Sequence, residues 1–141
     1  MPTSHDLHDA DCLFCSIGSE LAFLENSLAY SIWDRFPVTP QHALIIPKRH
    51  QANYFDLSRS TLNSRDQLMH QVQAHALRVD EQVSGFNIGV NAGKSAGQTV
   101  LHCHLHLIPR RKADVEDPRG GIRHLIPSKG ILSGDLALIG R

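Results

Sequence analysis

The segment Leu101-His102-Cys103-His104-Leu105-His106-Leu107-Ile108 alternates histidine with apolar residues. In a β-strand, side chains two residues apart share a face. The spacing predicts a strand over 99–108 with His102, His104 and His106 in one row, about 6–7 Å from one to the next. Leu101, Cys103, Leu105 and Leu107 then point into a core, and Pro109 closes the strand. A slip of one residue would bury three imidazoles, so the apolar partners set the register.

Two chemistries suit such a row. Neutral imidazole is a good zinc ligand. It is also a nucleophile that needs no separate base, since its ordinary pKa of about 6.5 leaves much of it neutral at pH 7. Attack on phosphorus gives a phosphoramidate that is easily cleaved once protonated. The protein then has only to position the substrate and stabilise charge. The loop before the strand offers Gly93, Gly97, Gln98 and Thr99 for that purpose, with backbone N–H groups, an amide and a hydroxyl.

The rest of the chain limits the setting. At 141 residues, 41% hydrophobic and 20% charged, it reads as a single folded domain over 1–141. Residues 1–11 read as a loose arm and 110–141 as a loop-rich tail. Fourteen basic residues balance 14 acidic ones, which argues against a nucleic-acid binder. There is no apolar run of 18 residues to cross a membrane, and the polar, acidic N-terminus does not resemble a secretory signal. Three cysteines, an odd number, argue against a disulfide framework and for a reducing, cytoplasmic setting.

Two short strands are expected around a turn at Glu25-Asn26, then a buried strand from His42 to Pro47. Leu62, Met69, Val72, Ala76, Val79 and Val83 recur near the helical period and predict one long helix over about 58–83, ended by Ser84-Gly85. Phe86–Asn91 reads as a strand that pairs with 99–108 through the 92–97 loop. This order suggests an α+β fold with a mainly antiparallel sheet.

His102-Cys103-His104-Leu105-His106-Leu107-Ile108 resembles the histidine-triad pattern, histidine alternating with apolar residues. Asn91-Ala92-Gly93, Gly97-Gln98-Thr99-Val100 and His42 through His50 are similar to the same superfamily, so the likeness spans about 11–123. It implies a five-stranded sheet with one long helix, and a homodimer whose sheets join. It also implies nucleotide hydrolases and transferases that attack an α-phosphate, with His104 as nucleophile and His102 and His106 assisting. The resemblance puts Asp34 at the ribose hydroxyls, with Asn91, Gly97, Gln98, Thr99 and His106 at the phosphates. His42 falls where a histidine supports the triad.

Cys12-Leu13-Phe14-Cys15 is a C-x-x-C without the βαβ context of a redox site. Some triad proteins resemble a Cys, Cys, His, His arrangement, which here would be Cys12, Cys15, His50 and His102. That set would close a tetrahedral, structural zinc site. Zinc on His102 would leave the chemistry to His104 and His106. Cys103 reads as an inert core thiol.

The tail from Arg110 to Arg123 is similar to tails of microbial dinucleoside-polyphosphate hydrolases, and its arginines are candidates for a polyphosphate. The leading expectation is hydrolysis of an adenosine (di)nucleotide polyphosphate through a nucleotidyl-histidine. The alternatives are a nucleoside phosphoramidase and a nucleotide-binding regulatory module. A zinc metallohydrolase is disfavoured, because no carboxylate lies near the row in sequence to serve as base.

Overall fold

The computed structural model describes residues 9–18 and 20–131, so most of the expected arm and the end of the tail lie outside the described residues. After a short helix α1 (Leu13–Ile17), strands β1 (Leu24–Glu25), β2 (Ala29–Trp33) and β3 (Ala43–Pro47) form an antiparallel meander. The turn after β1 is made by Asn26, whose Oδ1 accepts from the N–H groups of Leu28 and Ala29. Helix α2 (Arg59–Val79) leads into β4 (Val83–Gly89), and β4 pairs with β5 (Leu105–Arg111). All pairs in the five-stranded sheet are antiparallel, in the order β1-β2-β3-β5-β4, so β4 is an edge strand. The architecture is the α+β one expected.

The sheet has a helix face and an open face. Ala29, Ala43, Ile45, Leu105 and Leu107 pack with Leu68 and Val72 of α2. Tyr30, Ile32, Leu44 and Ile46 point the other way and are covered by Phe14 of α1. The buried stripe of α2 is Thr61, Ser64, Leu68, Val72 and Ala76. It is turned about one position from the expected stripe, because small polar Thr61 and Ser64 pack inward while Val79 is 55% exposed. Ser58 caps the helix start, accepting from the N–H of Thr61.

The helix ends at Val79, not near Val83. Asp80 leaves the helical conformation, accepts from Gln82 N–H and binds Arg111, which draws Val83 into β4 opposite Arg111.

The histidine strand is also shifted. It begins at Leu105 rather than 99 and continues through Pro109 to Arg111. On the early side, Pro47 ends β3 and has no N–H to extend the ladder. Cys103 N–H bonds instead to Gln51 O. On the late side, Pro109 O accepts from Thr39 Oγ1, so its backbone polar edge faces away from β4 and the missing N–H costs no β4 bond. Leu101, expected in the core, is 52% exposed because it precedes the strand, while Cys103, Leu105 and Leu107 are buried as expected. Burial pushes the Cys103 thiol up to about 11, which suits an inert core residue.

Candidate active site

Sheet register builds the first half of the site. Asp34 N–H bonds to His42 O at 2.9 Å, which carries the β2–β3 pairing one step past Trp33↔Ala43. Leu44 lies opposite His106 on β5. Asp34, His42 and His106 are therefore neighbours on the open face.

Their hydrogen bonds identify which nitrogens carry protons. His42 Nδ1 accepts from Val38 N–H at 3.2 Å, so its proton sits on Nε2. That Nε2–H donates to His106 Nδ1 at 2.9 Å, with Asp34 Oδ2 further off at 3.4 Å. His106 Nδ1 is then an acceptor, and its own proton is on Nε2. Burial, then the charges of His104 and His42, push His106 down to about 4 against the opposing pull of Asp34. Burial also lowers His42, again against Asp34. Both rings are neutral at pH 7, so the cluster of Asp34, His42 and His106 is held together by shared protons and not by an ion pair.

His104 is oriented by its own strand entry. Its Nδ1–H donates to His102 O at 2.8 Å, which leaves the Nε2 lone pair free. Its ring centre lies 5.2 Å from that of His106 and 5.1 Å from Phe14, edge to face in both cases.

His102 does not complete a row of three equals. It is wholly buried, and its Nε2–H donates to Pro47 O at 2.7 Å. Its Nδ1 lone pair faces Cys12 Sγ at 3.4 Å and Cys15 Sγ at 3.5 Å. Cys15 Sγ is also 3.4 Å from His50 Nδ1. The bond from Cys103 N–H to Gln51 O is what brings the His50 loop to His102. All four donor atoms lie within 4.8 Å of one another. A tetrahedral zinc with bonds of about 2.0–2.3 Å needs sulfur-to-nitrogen edges of roughly 3.5 Å, so this set fits the ion. The carbonyl on the far nitrogen of His102 is the outer partner that metal-binding histidines usually have.

The other expected residues divide. Asn91 and His106 line a cleft of about 320 Å³, shared with His42 and with apolar Ile88, Ile122 and Leu125. Asp34 backs the histidine pair, with Oδ1 accepting from Phe36 N–H. Gly97 makes the left-handed turn of the loop at φ +92°. The Gln98 side chain is spent inside the loop, accepting from Gly93 N–H and donating to the carbonyls of Ala52 and Val100. Thr99 is exposed. The tail arginines are largely paired within the chain: Arg110 with Asp114, Arg111 with Asp80, Arg119 with Asp117.

The resemblance puts His42 in support of the triad, and the structure pairs it with His106; sequence reasoning did not find which triad histidine it meets, nor the packing of Phe14 on His104. The first was foreshadowed by His42 sharing a period of two with Leu44 and Ile46. The second had no local signal beyond an aromatic residue inside the C-x-x-C.

A five-stranded antiparallel sheet bearing alternating histidines defines the histidine-triad class of protein. The sequence profile of the HIT domain matches residues 19–113, and the chain belongs to that family. It is 38% identical over 104 residues to a bis(5'-nucleosyl)-tetraphosphatase (asymmetrical) of Schizosaccharomyces pombe, covering 72% of this chain and 54% of that one. It is 37% identical over 107 residues to an adenosine 5'-monophosphoramidase of Saccharomyces cerevisiae, covering 73% and 65%. Its fold matches the crystal structure of a zinc-bound histidine triad family protein from Mycobacterium smegmatis with a TM-score of 0.69, at 33% identity, covering 76% of this chain and 80% of that one. Among the described residues, no helix is long and apolar enough to cross a membrane.

Proposed function

We propose that the chain hydrolyses a phosphoanhydride or phosphoramidate bond at the α-phosphorus of an adenosine nucleotide, through a nucleotidyl-His104 intermediate. The observation that carries this reading is the bond from His104 Nδ1–H to His102 O, which leaves Nε2 as a free, fixed nucleophile beside a proton-bearing His106.

In the first step, His104 Nε2 bonds to phosphorus as the bond to the leaving group breaks. The departing atom takes up a proton from water where it needs one, and His106 Nε2–H, on the ring beside His104, donates a hydrogen bond to the charge that develops at phosphorus and keeps its proton. In the second step, water adds to phosphorus and the P–N bond to His104 breaks, giving the nucleoside monophosphate. Negative charge on the phosphoryl group strengthens this donor bond while the ring stays neutral. His42 keeps that proton on the correct nitrogen. Asp34 receives the ribose hydroxyls with the oxygen that Phe36 does not occupy fully. Asn91, Gly97, Gln98 and Thr99 shape the phosphate loop, Gln98 by bracing it. Relatives named as a tetraphosphatase and as a phosphoramidase support hydrolysis of either bond type.

Cys12, Cys15, His50 and His102 would hold a structural zinc. With four protein ligands it has no open position, and it would tie α1 to the sheet. The same reading includes a homodimer. Edge strand β4 has no partner on its outer side among the described residues, so a second copy can extend the sheet there.

The test is to mix the protein with a nucleotide labelled at its α-phosphate, quench, and locate the label by mass spectrometry. The reading expects a nucleotidyl group on His104 and none in His104→Ala. Label on another residue, or turnover without a covalent adduct, overturns it.

A further inference from the structure

The bond from His104 Nδ1–H to His102 O fixes the tautomer of the ring and one point on it. It does not fix the plane. The χ2 torsion of a histidine is broad, so a ring held by one bond can swing about it. A nucleophile that attacks along a single lone pair loses rate when that lone pair leaves the line to phosphorus. His106 touches the ring at 5.2 Å from the same strand, but is itself committed to His42.

Phe14 supplies a contact from outside the strand. Its ring centre lies 5.1 Å from that of His104 at an interplanar angle of 72°, and 5.9 Å from that of His102 at 83°. Both are edge-to-face arrangements that aromatic rings prefer. One ring therefore abuts the nucleophile and also the residue whose carbonyl orients it. The contact uses no nitrogen, so His104 Nε2 stays free. Phe14 is 5% exposed and turns almost no surface to a ligand.

The Phe14 ring is held from both sides in the chain. The sulfurs of Cys12 and Cys15 lie 3.4 and 3.5 Å from His102 Nδ1. The carbonyl of Phe14 accepts from the O–H of Tyr30, a fully buried residue of β2, at 2.6 Å. Ile32, Leu44 and Ile46 pack in the same cluster. The ring cannot move without moving the thiols against His102 or breaking the Tyr30 bond.

We infer that Phe14 is a positioning residue for the nucleophile: clamped to His102 by Cys12 and Cys15 and to β2 by Tyr30, its ring holds the plane of His104. Helix α1 then sets the aim of His104 as well as tying the start of the fold to the sheet. The effect on rate rests on the nucleotidyl-His104 reading above, whereas the effect on the ring does not.

The experiment uses Phe14→Leu, which keeps an apolar side chain and removes the ring. With a nucleotide labelled at its α-phosphate, rapid quenching should show adduct formation on His104 slowed about tenfold. Affinity for a nucleoside monophosphate should stay within about twofold. Imidazole nitrogen–proton spectra at one fixed pH should show His104 with its proton on Nδ1 in wild type, and that signal averaged or lost in Phe14→Leu. Tyr30→Phe removes only the hydroxyl bond to the Phe14 carbonyl and should act in the same direction, severalfold in rate. It carries the test if Phe14→Leu does not fold. An unchanged His104 signal overturns the inference whatever the rate does. A loss confined to nucleotide affinity, or to melting temperature, overturns it too, since Phe14 would then be a wall for substrate or ordinary core. Wild type without any adduct overturns the catalytic reading, and the imidazole spectra alone then decide the positioning.

Discussion

His42 Nε2–H donates to His106 Nδ1 at 2.9 Å, linking residues 64 positions apart in the chain. The bond decides which nitrogen of His106 donates toward the substrate, because it fills Nδ1 and leaves the proton on Nε2. His42→Ala should therefore lower kcat by about 10- to 100-fold with a smaller change in KM, as expected when a hydrogen-bond donor to the transition state is misplaced but not deleted. His42→Asn should recover part of the loss, since its amide N–H can donate. Steady-state kinetics on all three forms checks this, and a loss confined to KM would contradict it.

His104→Ala should reduce turnover by about 10³-fold or more while nucleotide affinity stays within a few-fold of wild type. Calorimetry with a nucleoside monophosphate, alongside the rate assay, separates binding from chemistry. Near-normal turnover would remove His104 from the mechanism.

Protein purified without chelator should carry about one zinc per chain, and Cys12→Ser should lower both metal content and melting temperature. Its His104 should still form an adduct, because the ion does no chemistry in this reading. Elemental analysis and thiol titration are the direct checks. Zinc-free protein with both thiols titratable would refute the site.

Acid should destabilise the fold before the carboxylates titrate. His106 is held at about 4 when folded, against 6.5 when exposed. Unfolded chain binds the proton first, so the stability from keeping this ring neutral is complete above pH 6.5 and is lost as pH falls from 6.5 to 4. The loss amounts to about 3 kcal/mol, and His42, shifted the same way, adds to it. Urea melts across that window should show a shallower slope in His106→Asn. An identical slope would mean that this ring is not buried neutral.

Leu68 is fully buried at the centre of the α2 face. Leu68→Ala should cost about 2–5 kcal/mol, whereas Val79→Ala, at an exposed position, should cost little. Denaturant melts on the two variants test which stripe of the helix meets the sheet.

Much of the fold was legible because its periods are local. Alternation around Leu105 and Leu107 named β5 and its core face, and the run from His42 to Pro47 named β3. Element ends were less so. The helix stops at Val79 because Asp80 is held by Arg111, a residue on another strand. The strand starts at Leu105 because Pro47, on a neighbouring strand, has no N–H to offer. Neither cause is visible near the boundary it sets.

The sequence by itself determined the chemical inventory. It contains alternating histidines at strand period, a C-x-x-C without a redox setting, and a glycine-bearing loop ahead of the histidines. These are properties of residue type and spacing, and they limit the chain to phosphate or metal chemistry. Tertiary structure alone decided how the histidines divide. His102 turns to thiols about 90 residues away, His106 pairs with His42, and His104 keeps a free nitrogen because its other one bonds to a backbone carbonyl. An imidazole has two nearly equivalent nitrogens, and only its hydrogen-bond partners choose between them. Those partners come together only when the sheet has formed.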